Sequence, residues 1–149
     1  MAKFNINDQN ITANKSAYSD ADRTTGVMTV KLVGFDQVEQ SETDEKNCIQ
    51  KFVIRFKRVD VDTDNEVKHW LNFSYPNDSV KQKSMNYIAF NVRQLQQACA
   101  EKPTEMEELD LKTSIDIINS LIGRKLQINQ HIDSRANSDN KLTVSYIAD

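Results

Sequence analysis

Two neighbouring segments in the middle of the chain alternate apolar and polar residues, and this alternation restricts the fold more than any other feature. The first, CIQKFVIRFKRV (residues 48–59), has an apolar set on one face and a mostly basic set on the other. A polar turn at 60–65 separates it from EVKHWLNF (66–73), which alternates in the same way. We expect an antiparallel hairpin with its apolar face buried. This register puts the only tryptophan, Trp70, on the polar face beside the basic strand.

Further strands are predicted on both sides of this hairpin. From Gly26 onward a two-residue period turns apolar residues to one side and turns Lys31 and Phe35 to the other. Near the end of the chain, KLQINQHI (125–132) and KLTVSYI (141–147) flank a polar loop and predict a closing hairpin.

Two helical segments are predicted between the third and fourth strands. Apolar residues at steps of three and four from Met85 to Cys99 indicate an amphipathic helix that ends near Ala100. A second helix begins either at Thr104, as part of a capping box, or later, at 113 or 114. Gly123 is well placed as its C-terminal cap.

The element order therefore predicts an α+β fold that is mainly antiparallel β. Five strands with a helical segment between strands 3 and 4 fit an OB-like curved sheet or barrel, although other small curved sheets share this order. We expect residues 1–25 to form a polar N-terminal arm and residues 26–149 to form a single OB-like domain.

Composition and charge narrow the class of protein. No apolar run approaches the roughly 20 residues that span a bilayer, and MAKFNINDQN lacks the apolar region of a secretory signal. Cys48 and Cys99 fall in a predicted strand and a predicted helix, as expected for buried thiols in a reducing cytoplasm. The net charge of −3 is unevenly spread: acidic residues concentrate at 36–45, 60–66 and 101–116, whereas 46–58 contains basic residues and no acidic one.

Enzymatic and metal-binding interpretations find little support. The chain has no glycine-rich phosphate loop, no GxSxG and no cysteine pair at metal spacing. His69 falls on the apolar face, where a half-buried structural role is expected, and His131 with Asp133 lacks a third metal ligand. The acids at 60–66 lack the glycine and terminal glutamate of a calcium loop. We therefore expect no catalytic residue, metal or cofactor.

The remaining constellation is a surface of cations and aromatic rings on one sheet face. Single-stranded nucleic acid is bound by this combination, because cations follow the phosphates while exposed rings stack on bases. The alternative is that the long helix covers this face and makes Trp70 part of the core, which would bury several charges beside it. The candidate nucleic-acid-binding residues are Trp70, Phe35, Lys31, Lys51, Arg55, Lys57, Lys68 and Tyr75.

The phrases FVIRFKRV, EVKHWLNF, QKSMNYIAFNVRQLQQAC and INSLIGRKLQINQHI are similar to those of small phage-encoded single-stranded DNA-binding proteins over roughly 26–148. The resemblance implies an OB-type fold, a role in replication or recombination in the cytoplasm of a bacterial host, and DNA held by aromatic and basic side chains. This chain differs in one respect: many such proteins end in an acidic tail that recruits partners, whereas a strand is predicted for TVSYIAD.

Two hypotheses follow. The first is a non-enzymatic, sequence-tolerant single-stranded DNA-binding protein that acts as a homodimer or cooperative array. Its candidate partners are replication or recombination proteins, and no membrane is involved. The second is a phage protein-binding adaptor or inhibitor that uses its acidic surface.

Overall fold

In a computed structural model, the described residues are 21–133 and 141–148, and they form one antiparallel sheet with the two longer helices packed on one face. The α+β class, the five strands and the helical segment between the third and fourth strands are confirmed. The elements are β1 (Gly26–Gln37), α1 (Glu42–Lys46), β2 (Ile49–Arg58), β3 (Glu66–Ser74), α2 (Asp78–Ala98), α3 (Leu111–Ser120), β4 (Lys125–Ile132) and β5 (Leu142–Ile147).

The strands lie in the order β3-β2-β1-β4-β5, and each neighbouring pair is antiparallel. The predicted β2–β3 register is confirmed, because Ile54 lies opposite His69 and Val53 lies opposite Trp70. β3 and β5 are the two edge strands. No hydrogen-bonded ladder joins them in the described part of the chain, so the sheet is not a closed barrel.

The core lies between one face of the sheet and the two longer helices. Side chains of β1–β5 meet Ile88, Val92 and Leu95 of α2 and Ile115 and Ile118 of α3 there. Alternation along the strands and the three- and four-residue steps along α2 bring these apolar sets to the same interface. The opposite face of the sheet, which carries Trp70 and the alternating cations of β2, is called the outer face below. Neither α2 nor α3 covers it.

A β-bulge divides β1 into two halves of opposite orientation. Leu32 lies opposite Phe56, but the next paired residue is Gly34, opposite Arg55, so Val33 is the extra residue. Before the bulge the even-numbered residues face the core, and after it the odd-numbered residues do. Every prediction that extended the period of β1 past Val33 is therefore reversed.

Several predicted boundaries differ from the structure. The acidic connection contains α1, whose N-cap Ser41 forms a capping box with Asp44. Cys48 precedes β2 with a positive φ of 55° rather than lying within the strand. Neither predicted start of α3 is right: Asp110 caps it by accepting a hydrogen bond from the Thr113 backbone N–H at 2.7 Å.

The remaining fold-level predictions concern the termini, the cysteines and the membrane. The predicted arm falls mostly at 1–20, outside the described residues. Cys99 is buried, and burial raises the pKa of its thiol, whereas Cys48 is half-buried; no disulfide joins the two. Within 21–133 and 141–148, no helix has the length and apolar character that crossing a membrane requires.

Candidate functional site

Trp70 lies on the outer face of β3, as the alternation predicted. Its side chain is 39% exposed, whereas its neighbours His69 and Leu71 are buried in the core. Trp70 lies opposite Val53, which is fully buried and forms a small apolar cluster with Val38. The ring is therefore half anchored on an apolar base and half open to solvent, a suitable arrangement for stacking against a planar ligand.

Phe35 is not on the outer face, so its predicted place beside Lys31 is wrong. The bulge at Val33 turns Phe35 into the core, where it is 7% exposed and stacks on Phe52 with ring centroids 5.7 Å apart. It lies opposite Ile54 in the β1–β2 ladder. Phe35 consequently cannot provide a second stacking ring for a ligand on the outer face.

Arg55 lies on the outer face, but two carboxylates hold it there. Its Nε donates to Asp36 at 2.6 Å and its Nη1 donates to Glu66 at 2.8 Å, and all three side chains are less than a fifth exposed. Gly34 makes room for the guanidinium, because a Cβ at this position would lie 2.1 Å from Nη2 of Arg55. Arg55 is thus a structural ion-pair residue here, and its charge is already compensated.

Lys51, Lys68 and Tyr75, which were also predicted to bind nucleic acid, differ in how accessible their side chains are to a ligand on the outer face. Lys51 forms an ion pair with Asp44 at 3.4 Å and keeps part of its side chain in solvent. Lys68 is half-buried and lies opposite Arg55. Tyr75 lies with the core rather than on the outer face: its ring stacks on Phe73 with centroids 6.3 Å apart, and its hydroxyl accepts a hydrogen bond from Gln40 at 2.9 Å. The suggested extension of the platform to Tyr75 is therefore wrong.

Three exposed lysines form a row across the outer face: the predicted Lys31 and Lys57, and Lys125, which the sequence patterns did not indicate. Lys31 of β1 lies opposite Lys57 of β2 on one side and opposite Lys125 of β4 on the other. None of the three takes part in an ion pair among the described residues. Like charges on directly opposed residues destabilise a sheet, so this lysine row is a place where a bound anion would relieve repulsion. Lys125 was missed because only the β1–β4 register brings it next to Lys31.

An open groove of about 730 Å³ lies beside Trp70, at the edge of β3. The approach of β3 to β5 across the open side of the sheet leaves this groove between them. We call it the edge groove; its lining includes Lys68, His69 and Trp70 of β3, Tyr87 of α2, and Leu142 and Thr143 of β5.

His69 is a buried, uncharged residue at the edge groove. It is 2% exposed, and its Nδ1 lies 2.5 Å from the hydroxyl of Tyr146, also a buried side chain. Burial lowers the pKa of His69 to about 4 and raises the pKa of Tyr146, because the charged form of each loses hydration. The predicted structural role on the core face fits this placement.

Each predicted acidic window has at least one carboxylate engaged within the fold. Asp36 pairs with Arg55, and Asp44 caps α1. In the turn after β2, Asp60 accepts from Arg58. Glu101 pairs with Arg124 at 2.6 Å. Among residues 21–133 and 141–148, no three potential ligands are grouped where they could hold a metal ion.

No protein-family model matches the chain, and a search of curated proteins finds no significant relative. The resemblance to phage single-stranded DNA-binding proteins therefore stays a prediction. The placement of Trp70, the lysine row and the edge groove are the observations on which a functional proposal has to rest.

Proposed function

We propose that this protein binds single-stranded DNA without enzymatic activity and with little sequence preference, in phage or mobile-element replication or recombination. The observation that carries the proposal is the exposed ring of Trp70 on the same sheet face as the lysine row of Lys57, Lys31 and Lys125, which forms no ion pair with the described residues. Aromatic stacking and phosphate contacts from cations are the two interactions that hold single strands on such surfaces.

The spacing of these groups suits an extended strand. Lys57 lies opposite Glu66, and Trp70 is four residues further along β3. At a rise of roughly 3.3 Å per residue, the ring lies about 13 Å along the sheet from the lysine row. A strand that stacks one base on Trp70 would pass Lys68 and reach the lysine row with the phosphates of the next nucleotides.

An OB-type architecture is part of this proposal. Its support is the strand order together with the approach of β3 to β5 across the open side of the sheet. OB folds are five-stranded, partly open barrels with binding surfaces on the central strands. We further propose that the protein acts in the cytoplasm of a bacterial host as a homodimer or cooperative array, because one domain covers only a short stretch of a long strand.

A second candidate is a protein-binding adaptor that uses an acidic surface. One observation favours it: exposed Glu105, Glu107 and Glu108 surround Met106, which is 37% exposed on a 3₁₀ turn before α3. The 36–45 window fits this role less well, because Asp36 and Asp44 are engaged within the fold.

The test is binding of a labelled oligo-dT, measured by fluorescence anisotropy at several salt concentrations. Trp70→Ala should weaken binding about 5- to 150-fold, the equivalent of roughly 1–3 kcal/mol of stacking, whereas Trp70→Phe should keep most of the affinity. The matched control is Phe90→Ala, which removes a 57% exposed ring from α2, on the opposite side of the sheet from the outer face.

The lysine row is tested in the same assay. Lys31→Gln combined with Lys57→Gln should lower the slope of log affinity against log salt by about 1.4, since each phosphate contact on a single strand contributes about 0.7. Lys81→Gln with Lys83→Gln removes the same charge from α2 and should leave the slope nearly unchanged. Equal losses in both lysine pairs, or in W70A and F90A, would contradict binding at the outer face.

A further inference from the structure

One residue that lines the edge groove, His69, has a buried ring nitrogen with no partner among the described residues. Nε2 of His69 has no hydrogen-bond partner in the described part of the chain, although the side chain is 2% exposed. Unpaired buried polar atoms destabilise a fold and are rare in folded proteins. The hydrogen bond between Nδ1 and the Tyr146 hydroxyl engages the other ring nitrogen, so Nε2 is the ring atom that a guest in the groove would have to satisfy.

The surroundings of His69 favour an uncharged, planar guest. His69 is neutral at physiological pH, and aromatic rings of Trp70 and Tyr87 line the groove. The charged residues that line the groove include both signs, so the groove has no excess of one charge that would favour a charged ligand. At about 730 Å³ the groove also falls within the roughly 300–1,000 Å³ of small-molecule sites. The charged residues are Asp22, Arg23, Glu39, Asp44, Lys51, Lys68, Asp133 and Lys141.

We infer that the edge groove receives one nucleobase of the bound strand, hydrogen-bonded to Nε2 of His69 and next to the base stacked on Trp70. This inference rests on the proposed function. A nucleobase carries donors and acceptors on one edge, so it can pair with Nε2 whichever nitrogen of His69 holds the proton. Trp70 lies on the outer face and also lines the groove, so a strand on that face passes the groove entrance. Stacking on Trp70 is tolerant of sequence, whereas the His69 contact is base-selective.

The experiment compares dT, dC and dA homopolymers by quenching of Trp70 fluorescence, with wild-type protein and with His69→Phe. The wild type should prefer one homopolymer by about threefold to tenfold, the equivalent of one net hydrogen bond. H69F should bind all three equally while the quenching persists. Equal wild-type affinity for the three, or an equal loss for all in H69F, would overturn the base site and leave the Trp70 platform standing. Absence of quenching by every homopolymer would overturn both.

A measurement on the unaltered His69 covers the case in which H69F does not fold. The chain has two histidines, so His131→Gln leaves His69 as the only source of imidazole ¹⁵N signals. Addition of the preferred oligonucleotide should shift the Nε2 resonance of His69 more than the Nδ1 resonance. Unchanged imidazole resonances at saturating oligonucleotide, with Trp70 quenched, would contradict the base site and retain the proposed function.

Discussion

Acidification should destabilise this protein through His69 before its carboxylates titrate. Burial lowers the pKa of His69 to about 4 in the folded chain, against about 6.5 in an unfolded one. Between these values the unfolded state binds more protons, so the free energy of unfolding falls as the pH falls. The stabilisation is complete above about pH 6.5 and is lost on the way down to about pH 4. The full loss is about 3 kcal/mol, because the pKa of His69 falls from about 6.5 to about 4 on folding.

Urea unfolding at pH 7 and pH 5 isolates this effect, since aspartates and glutamates are still mostly ionised at pH 5. The His69 contribution over this interval is about 2 kcal/mol, the equivalent of roughly 4–8 °C in Tm for a chain of this size. His69→Phe changes stability at pH 7 but should remove most of the dependence between pH 7 and pH 5. His131→Gln, on the half-buried β4 histidine, should retain it. Equal losses in the wild type and H69F would refute the assignment of a buried, neutral His69.

Two further predictions concern residues that the bulge of β1 repositions. Gly34→Ala should destabilise the fold by about 2–4 kcal/mol, because the added Cβ displaces the guanidinium of Arg55 from its carboxylates. In a double-mutant cycle measured by urea unfolding, this destabilisation should fall below about 1 kcal/mol in an Arg55→Met background. An unchanged destabilisation would contradict the steric explanation. Phe35→Leu should lower the free energy of unfolding by about 1–2 kcal/mol in the same assay, because packing on Phe52 is lost. Its oligo-dT affinity should stay within twofold of the wild type. A tenfold loss of affinity at unchanged stability would show that Phe35 contacts the DNA.

The β2–β3 hairpin could be predicted from sequence because its alternation is uninterrupted. A shift of one residue would have exposed Phe52, Ile54 and Phe56 together, so burial permits only one register. The side on which Trp70 lies followed directly. The same rule failed in β1, where Val33 adds one residue and reverses the two-residue period. Nothing in the period of β1 marks the bulge, although Gly34 is the kind of residue found at such sites.

The ion pairs and the lysine row of the outer face could not be predicted from sequence, for a different reason. Arg55 meets Asp36 across β1–β2 and Glu66 on β3, and those pairs exist only once the strands are in register. Counted along the sequence, the basic residues of 46–58 have no acidic partners. In the fold, carboxylates neutralise Arg55, whereas Lys57 and its neighbour Lys31 form no ion pair with the described residues. The third member of the lysine row, Lys125, is 94 positions from Lys31, so only the β1–β4 pairing identifies it.

The most direct test of the account is a titration of intrinsic fluorescence, because Trp70 is the only tryptophan in the chain. Oligo-dT added at low salt should quench its emission to saturation, and the apparent affinity should fall steeply as salt is raised. The quenching should be reversed by salt while the circular dichroism of the protein stays unchanged. Emission that does not change at low salt, from protein shown to be folded, would contradict DNA binding at Trp70.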